Sequence, residues 1–193
     1  MYIKKAEQKD LRDLAEAAAA CFPAGEAESE ERIAGRLAVY PDCFWIGRDD
    51  FHELVCFAAG PVTKERDLSD GMYADPSVHD PDGDWQMIFS LCTMPQYRRQ
   101  GNATLLLQRV ISAAEEAGRK GIVLTCKSEK VPFYEKFGFV NEGISESKHG
   151  GATWYQMRLS FDENYYLERM FQISDDPEEN TRSMEETIWN MMC

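Results

Sequence analysis

The stretch that decides the fold runs from residue 85 to residue 118 and reads WQMIFSLCTMPQYRRQGNATLLLQRVISAAEEAG. Its first nine residues, 85–93, are mostly apolar and predict one long, fully buried strand. Apolar residues then recur at helical spacing over Asn102–Ala117, which predicts a helix that ends near Gly118. A short basic turn, residues 94–101, joins the strand to the helix.

The basic turn carries residues that are suited to hold a phosphate group. The N–H groups in the first turn of a helix lack intrahelical partners and carry partial positive charge. Gly101 and Ala103 leave room for phosphate oxygens to approach the main chain, and Arg98 and Arg99 add fixed positive charge. An ordinary basic turn before a capped helix would give the same pattern, so this observation alone leaves both readings open.

Apolar periodicity on either side of this stretch predicts further strands and helices. Strands are expected at residues 2–6, 43–48, 53–60, 121–126, 139–143 and 153–160. Helices are expected at residues 11–22, with Asp10 as the N-cap, at residues 26–39 and at residues 130–137. This order contains a strand–helix–strand crossover, which makes parallel neighbours in a three-layer α/β domain.

Composition and charge exclude several classes of protein. The chain has 193 residues, of which 44% are apolar, and this suits a single globular domain with an appendage. Its 34 acidic and 21 basic residues give a net charge of −13. Nucleic acids and anionic membranes attract clustered Lys and Arg, so neither is expected as a partner. No apolar run reaches the roughly 20 residues of a membrane span, and no signal peptide is recognisable, so we expect a cytoplasmic protein.

The cysteines and histidines show no metal-binding pattern. None of the six cysteines forms a C-x-x-C pair, and the three histidines have no paired spacing. We therefore expect reduced thiols and no metal site.

Residues 161–193 differ in composition from the rest of the chain. They contain nine acidic and two basic residues, and they include a predicted helix over Thr181–Met192. We expect a domain at residues 1–160 and an acidic, partly helical C-terminal extension at residues 161–193. The apolar stripe of that helix would pack on its own domain or form a homodimer contact, and the sequence leaves both alternatives open.

Two motifs in a characteristic order resemble those of a known family. The pattern Arg-x-x-Gly-x-Ala at residues 98–103 resembles the coenzyme A signature of the GNAT N-acetyltransferase superfamily. The stretch VPFYEKFGF, residues 131–139, resembles the superfamily motif in the helix after the next strand. LTCK at residues 124–127 and SKHGGATWYQM at residues 147–157 are similar to the branch that includes arylalkylamine (serotonin-type) N-acetyltransferases and their bacterial relatives. The resemblance covers residues 2–160.

The resemblance implies a fold and a set of cofactor-binding residues. The expected fold is a mixed, centrally splayed sheet of six to seven strands, flanked by helices. In such enzymes the exposed edge of the splayed strand pairs with the pantetheine arm of acetyl-CoA, which is the co-substrate. The matching residues here are Leu91, Cys92 and Thr93 on the strand, and Arg98, Arg99, Gln100, Gly101, Asn102, Ala103 and Thr104 on the pyrophosphate turn.

Tyr134 matches the general acid of the family. A phenol with a pKa of about 10 suits protonation of a leaving thiolate, because the thiol formed has a comparable pKa. Without the resemblance, Tyr134 would be read as a core aromatic residue beside Phe133 and Phe137. The oxyanion of the tetrahedral intermediate would accept a hydrogen bond from a main-chain N–H near Leu91 or Cys92.

The general base is where this sequence departs from its vertebrate relatives. Those enzymes carry two histidines on the splayed strand, and the matching residues here are Met87 and Phe89, which cannot accept a proton. The remaining candidates act through water and lie in the loop 63–84, namely His79, Asp70, Asp75, Asp80, Asp82 and Asp84. His149 is read either as a turn residue or as part of the acceptor site.

The loop 63–84 is also expected to form one wall of the acceptor site. It carries seven acidic and two basic residues, and an irregular loop of this length in a compact domain is usually functional. Negative charge combined with aromatic surface favours a cationic amine that has an apolar body. The predicted substrate-binding residues are Asp70, Tyr73, Asp75, His79 and Phe89, with Trp85 and Trp154 as further aromatic surface.

The sequence therefore predicts an acetyl-CoA-dependent N-acetyltransferase that acts on a small, cationic primary amine. Two alternatives remain open: acetylation of a protein N-terminus or lysine, and a non-catalytic module that binds acyl-CoA. A nucleotide-binding reading of the glycine turn is disfavoured, because the chain lacks both G-x-x-x-x-G-K-[ST] and G-x-G-x-x-G. The sequence does not identify the acceptor.

Overall fold

The computed structural model describes residues 1–162 and 164–165. Residues Met1–Leu159 form one compact unit. The predicted helix at Thr181–Met192 lies outside the described residues. No helix in the described part of the chain is long and apolar enough to cross a membrane.

The described residues form nine strands and four α-helices. The strands are β1 (Tyr2–Lys5), β2 (Phe44–Arg48), β3 (Leu54–Ala59), β4 (Val62–Thr63), β5 (Trp85–Ile88), β6 (Ser90–Thr93), β7 (Gly121–Cys126), β8 (Val140–Ile144) and β9 (Tyr155–Ser160). The helices are α1 (Leu11–Cys21), α2 (Glu30–Val39), α3 (Asn102–Glu116) and α4 (Val131–Glu135).

The strands form two sheets with the orders β1-β2-β3-β6 and β4-β5-β7-β9-β8. β2 and β3 form the predicted hairpin, and β5 lies parallel to β7, as the predicted crossover through α3 requires. Every residue of β2 and β3 is buried, because helices cover both faces of the first sheet. α1 and α3 both pack on β3 and β6. The predicted three-layer α/β fold is therefore confirmed.

The prediction of one strand over residues 85–93 is wrong, because the chain changes sheets at Phe89. Trp85–Ile88 belongs to the second sheet, whereas Ser90–Thr93 belongs to the first. The Phe89 N–H donates to the Ala59 carbonyl at 2.8 Å, although the register places Ser90 opposite Ala59. Phe89 is thus one extra residue, a β-bulge, at the point where the chain passes between the sheets. This break and the short β4 give nine strands rather than six to seven.

Gly60 allows the two sheets to meet closely beside the break. A Cβ atom at Gly60 would lie 2.2 Å from the Met87 carbonyl oxygen and 2.9 Å from the Phe89 nitrogen. No larger residue fits there without moving the main chain. Beyond Phe89 the neighbours β6 and β7 belong to different sheets and diverge, so the predicted central splay is confirmed.

The predicted start of α1 at residue 11 is confirmed, but the side chain of Asp10 does not cap the helix, and the predicted start of α2 is wrong. Asp10 does not cap α1, because its carboxylate accepts from the Glu7 N–H at 2.9 Å and pairs with Arg48 at 2.6 Å. α2 begins at Glu30 rather than at residue 26, because the Ser29 hydroxyl accepts from the Arg32 N–H at 3.3 Å. The residues before Ser29 therefore lie outside the helix. The helix predicted at residues 130–137 is also shorter, Val131–Glu135.

Candidate active site

The open edge of β6 is the first component of the site. β6 pairs with β3 on one side, where the Met94 N–H donates to the Val55 carbonyl at 2.9 Å. Hydrogen bonding alternates along an antiparallel pair, so the main-chain groups of Leu91 and Thr93 point away from β3. Arg98 Nε donates to the Thr93 carbonyl at 3.1 Å. Leu91 therefore directs both its N–H and its carbonyl into the gap between the sheets.

The start of α3 is the second component, and it lies directly after β6. Gly101 precedes the helix in the left-handed region at φ +81°, and an added Cβ would meet nothing within 4 Å. Arg99 is also left-handed, at φ 60°. Left-handed residues of this kind turn neighbouring N–H groups toward one concave surface, which suits an anion. This surface lines an outer pocket of about 240 Å³, formed by Thr93, Tyr97, Arg98, Arg99, Gly101, Asn102, Ala103, Thr104 and Phe133.

Most of the predicted cofactor-binding residues meet at these two components. Thr93, Arg98, Arg99 and the segment 101–104 line the outer pocket, and Leu91 lines the next pocket along β6. Cys92 lines neither pocket, because its side chain is buried and its main-chain groups face β3. Gln100 also stays outside, and its side chain donates to the Gln96 carbonyl at 3.1 Å.

Tyr134 lies in a second pocket, which also includes Ser90 and Leu91 in its lining. This inner pocket has a volume of about 230 Å³. The Tyr134 ring packs edge-on against Phe133 and Phe139, with ring centroids 5.1 and 5.7 Å away. Its hydroxyl makes no hydrogen bond to any residue that the structure describes. Burial raises the pKa of Tyr134 well above its ordinary value, so the phenol keeps its proton at neutral pH.

Three further aromatic rings and one imidazole form the opposite part of the inner pocket. Tyr73 lies 4.4 Å from Phe89 and 5.1 Å from His149, measured between ring centroids, and the His149 ring is nearly parallel to it at 12°. Trp154 Nε1 donates to the His149 carbonyl at 2.8 Å. Tyr73 and Phe89 were predicted as substrate-binding residues, and the structure places both in this pocket.

Two carboxylates that sequence reasoning missed also line the inner pocket. The Glu26 and Glu28 side chains are only 10% and 12% exposed. Glu26 pairs with Lys127 at 2.6 Å, and Glu28 pairs with the buried Arg36. The Arg36 guanidinium also lies 4.9 Å from the centre of the Phe89 ring. Both carboxylates escaped the sequence analysis because residues 26–28 were assigned to α2, and only a later helix start, with Ser29 as the N-cap, would have indicated them.

The predicted loop aspartates lie outside the lining of the inner pocket. Asp70 accepts from the Lys148 N–H at 2.9 Å and from the Ser147 hydroxyl, so it ties the loop to the turn between β8 and β9. Asp75 accepts from the Ser77 N–H at 2.8 Å, which lowers the pKa of its exposed carboxyl. Both carboxylates have local structural partners.

His79 is also placed away from the pocket. Its Nδ1 accepts from the Val62 N–H at 3.1 Å, and its ring lies against Tyr40 with centroids 5.1 Å apart. Burial lowers the pKa of His79, which keeps the ring neutral over a wider pH range. Trp85 is buried under the Arg158 guanidinium, 4.5 Å from its ring centre, rather than in the pocket lining.

Cys21 adds a reactive thiol to the lining of the inner pocket. Its Sγ lies 3.4 Å from the Thr93 carbonyl oxygen at the end of α1. A hydrogen bond from the Cys92 thiol, together with the Arg98 guanidinium, lowers the pKa of Cys21 to about 6. The Cys21 thiol is therefore more acidic than that of an ordinary cysteine. No group of three or more His, Cys, Asp or Glu side chains within the described ranges is arranged to hold a metal ion.

Comparisons with known sequences agree with this geometry. Residues 81–161 match the family model described as an acetyltransferase (GNAT) domain. Serotonin N-acetyltransferase of Mesocricetus auratus is 31% identical over 119 residues, which cover 60% of this chain and 55% of that protein. The chain thus spans about half the length of this curated relative.

Comparisons with solved structures show the same fold. The GphF GNAT-like decarboxylase in complex with isobutyryl-CoA matches with a TM-score of 0.73 at 19% identity, over 84% of this chain and 100% of that one. The loading GNATL domain of CurA from Lyngbya majuscula matches with 0.72 at 14% identity, over 82% and 96%. The ribosomal-protein-S18-alanine N-acetyltransferase of Escherichia coli matches with 0.62 at 20% identity, over 86% and 98%.

Proposed function

We propose that this chain is a member of the GNAT superfamily, whose acetyltransferase domain model matches residues 81–161, and that it transfers an acetyl group from acetyl-CoA to the primary amine of a small molecule. One observation carries the proposal: a single strand edge joins an anion site to a buried phenol. The start of α3 and the Leu91 main chain lie on the same edge of β6, and Leu91 shares its pocket with Tyr134.

The outer pocket would hold the diphosphate of the co-substrate. The N–H groups of Asn102, Ala103 and Thr104 have no acceptor within the helix, and the partial positive charge of the helix start adds to their attraction. Arg99 forms no ion pair with any described residue, so its guanidinium is available for a phosphate oxygen. The amide groups of the pantetheine arm would pair with the Leu91 main chain, as an added strand does.

The inner pocket would carry out the transfer. The amine nitrogen attacks the thioester carbon, a C–N bond forms, and the carbonyl oxygen becomes an oxyanion. The Leu91 N–H is the donor that faces this oxygen, because the Cys92 N–H is directed toward β3. The C–S bond then breaks, Tyr134 donates its proton to the departing sulfur, and the nitrogen loses a proton to solvent, from which the Tyr134 phenolate is reprotonated. The raised pKa of Tyr134 means that the proton is present at neutral pH, but it also makes the phenol a weaker acid than the thiol that is formed.

The acceptor would be small, with an apolar body beside its amine. The pocket has a volume of about 230 Å³ and includes Tyr73, Phe89 and Trp154 in its lining. Ligand pockets of a few hundred Å³ fit small molecules rather than folded protein surfaces. The lining carboxylates Glu26 and Glu28 favour a cationic amine, although their cation partners reduce the net negative charge.

An amine panel with acetyl-CoA tests the proposal through release of free thiol. We expect Tyr134→Phe to lower kcat by about 100-fold, which is a common contribution of a general acid, while calorimetry gives an unchanged Kd for acetyl-CoA. Tyr155→Phe on β9 is the matched control and should retain the wild-type rate. Unchanged kcat in Tyr134→Phe would show that another group protonates the sulfur.

The same panel separates the two alternatives. Transfer to peptides with a free N-terminus or lysine, and not to small amines, would favour a protein acceptor. Tight acetyl-CoA binding without transfer to any amine or peptide would favour a non-catalytic acyl-CoA-binding module.

A further inference from the structure

The inner pocket contains a proton acceptor that could replace the histidines missing from β5 and its break. An alkylammonium group has a pKa of about 10, so an acceptor amine must lose a proton before it can attack at neutral pH. Met87 and Phe89 cannot take that proton. The lining residues that could take it are Glu26, Glu28, Glu129, Cys21 and His149.

Most of these groups are engaged or poorly placed. Glu26 and Glu28 each form an ion pair with a cation, Lys127 and Arg36 respectively, which stabilises the unprotonated carboxylate. Glu129 is exposed at the rim. Cys21 contacts the Thr93 carbonyl, two residues from Leu91 in the direction of the outer pocket.

The contacts of His149 leave one ring nitrogen unprotonated. Its Nε2 lies 3.3 Å from the Glu26 carbonyl oxygen, which can only accept a hydrogen bond. The neutral ring therefore carries its proton on Nε2, and Nδ1 keeps a free lone pair. This tautomer is the one that a base acting through Nδ1 requires.

The turn that carries His149 is built closely against Glu26. A Cβ atom at Gly150 would lie 2.5 Å from Glu26 Cγ, and Gly150 is left-handed at φ +61°. Glycine is thus required for the turn to approach Glu26. Tyr73 stacks on one face of the His149 ring and contacts Phe89 at the break between β5 and β6. Continuous ring contacts therefore connect the imidazole to the point where the thioester would lie.

We infer that His149 is the general base of the acetyl transfer, an inference that rests on the proposed function. Nδ1 accepts a proton from the acceptor ammonium, directly or through one water molecule. The ammonium becomes a neutral amine and the imidazole becomes imidazolium, which returns the proton to solvent after transfer. The charged and titratable groups around the turn that influence this proton are Glu26, Glu28, Asp70, Tyr73, Lys127 and Lys148.

The pH dependence of His149→Gln separates a base from a structural residue. At pH 7 we expect kcat/KM for the amine to fall about 100-fold, because that is a common contribution of general-base catalysis. The deficit should shrink as the pH approaches 10, where the amine deprotonates without help. The Kd for acetyl-CoA should not change. A loss of equal size at every pH, or no loss, would overturn the inference.

His79→Gln tests the rival base from the loop, and His52→Gln is the matched control. His52 lies in the turn between β2 and β3 and contacts Tyr2, far along the sequence from the pocket lining. Both variants should keep the wild-type profile. A pH-dependent loss in His79→Gln alone would assign the base to His79 and overturn the assignment to His149.

Long-range ¹H–¹⁵N spectra of histidine-labelled protein provide a readout that needs no activity. At alkaline pH, we expect the resonance that is lost in His149→Gln to show the Nε2–H tautomer. A proton on Nδ1 would contradict the inference. Wild-type protein that shows this tautomer and transfers acetyl to no amine would instead contradict the proposed function.

Discussion

The two pockets along β6 are built in opposite ways. Seven of the nine residues that line the outer pocket come from one continuous stretch, 97–104, and their main-chain N–H groups supply the polar surface. The inner pocket combines separate parts of the chain, around Glu26, Phe89, Tyr134 and His149, and its polar groups, apart from the main chain of Leu91, are mostly side chains. A main-chain site depends on backbone shape and on open space, whereas a side-chain site depends on several elements meeting correctly. Mutations in the outer pocket should therefore weaken acetyl-CoA binding, and mutations in the inner pocket should lower kcat/KM for the amine without changing that binding.

The strongest test of this independence is a charge placed at the start of α3. In Ala103→Glu the new carboxylate occupies the helix start and repels the diphosphate, so we expect about 100-fold weaker acetyl-CoA binding by calorimetry. Ser112→Glu adds the same charge nine residues along the helix surface and should bind normally. Equal binding by the two variants would mean that the outer pocket is not the phosphate site.

A smaller effect is expected when the inner pocket alone is displaced. Gly150→Ala places a Cβ 2.5 Å from Glu26 Cγ and should lower kcat/KM for the amine about 10-fold, because the catalytic turn moves. Acetyl-CoA affinity should be unchanged.

Gly151→Ala is its matched control, because Gly151 has φ +70° and no atom within 4 Å of an added Cβ. Both variants should lose about 1–2 kcal/mol of folding free energy from backbone strain. Equal activity of the two would show that the contact with Glu26 is unimportant.

Cys21 links the two pockets, and its reactivity reports on both. Its pKa is lowered to about 6, whereas burial raises the pKa of Cys43 to about 11 and that of Cys126 to about 12. Among these three thiols, iodoacetamide at pH 7 should label Cys21 first, and acetyl-CoA should slow that labelling severalfold. Peptide mass mapping, with Cys21→Ser as the control, measures this. Labelling of Cys21 at the same rate with and without acetyl-CoA would place the pantetheine arm elsewhere.

The smallest effect is expected at the loop aspartate that the sequence assigned to the acceptor. Asp75→Asn removes a negative charge outside the pocket lining and keeps an oxygen that can accept from the Ser77 N–H, so KM for the amine should change less than about twofold. The Asp75 pKa is lowered in the folded state, so its contribution to stability exists above the unfolded pKa and is lost as the pH falls. A large rise in KM would show that the loop does contribute to binding of the acceptor amine.

Much of the fold could be predicted because its elements have their own periodicity. The β2–β3 hairpin, α3 and the parallel pair β5–β7 follow from apolar runs and turn residues within the sequence. The break at Phe89 could not be predicted in this way. Residues 85–93 are almost uniformly apolar on both sides of it, so no alternation marks the point where the chain changes sheets.

The two pockets differ in the same respect. The residues of the outer pocket follow one another in sequence, and a local motif therefore indicates most of them. His149 lies more than 120 residues after Glu26 and Glu28 and meets them only in the folded chain, as the contact of the Glu26 carbonyl with His149 shows. Asp70 and Asp75 were predicted to bind the substrate because they lie in an acidic loop. Composition reveals the charges of such a loop but not the groups with which each carboxylate is paired.

The extra residue at Phe89 also determines which residues of β6 direct their main-chain groups toward the gap and which toward β3. The strand contains one residue more than regular pairing with β3 would require. Because of this extra residue, the main-chain groups of residues 91 and 93 face the gap between the sheets. Loss of a single residue there would exchange the two edges of β6, so that Cys92 would offer its amide to a ligand and Leu91 would bond to β3. A change in length of one residue at this point is therefore more severe than any substitution in the same segment.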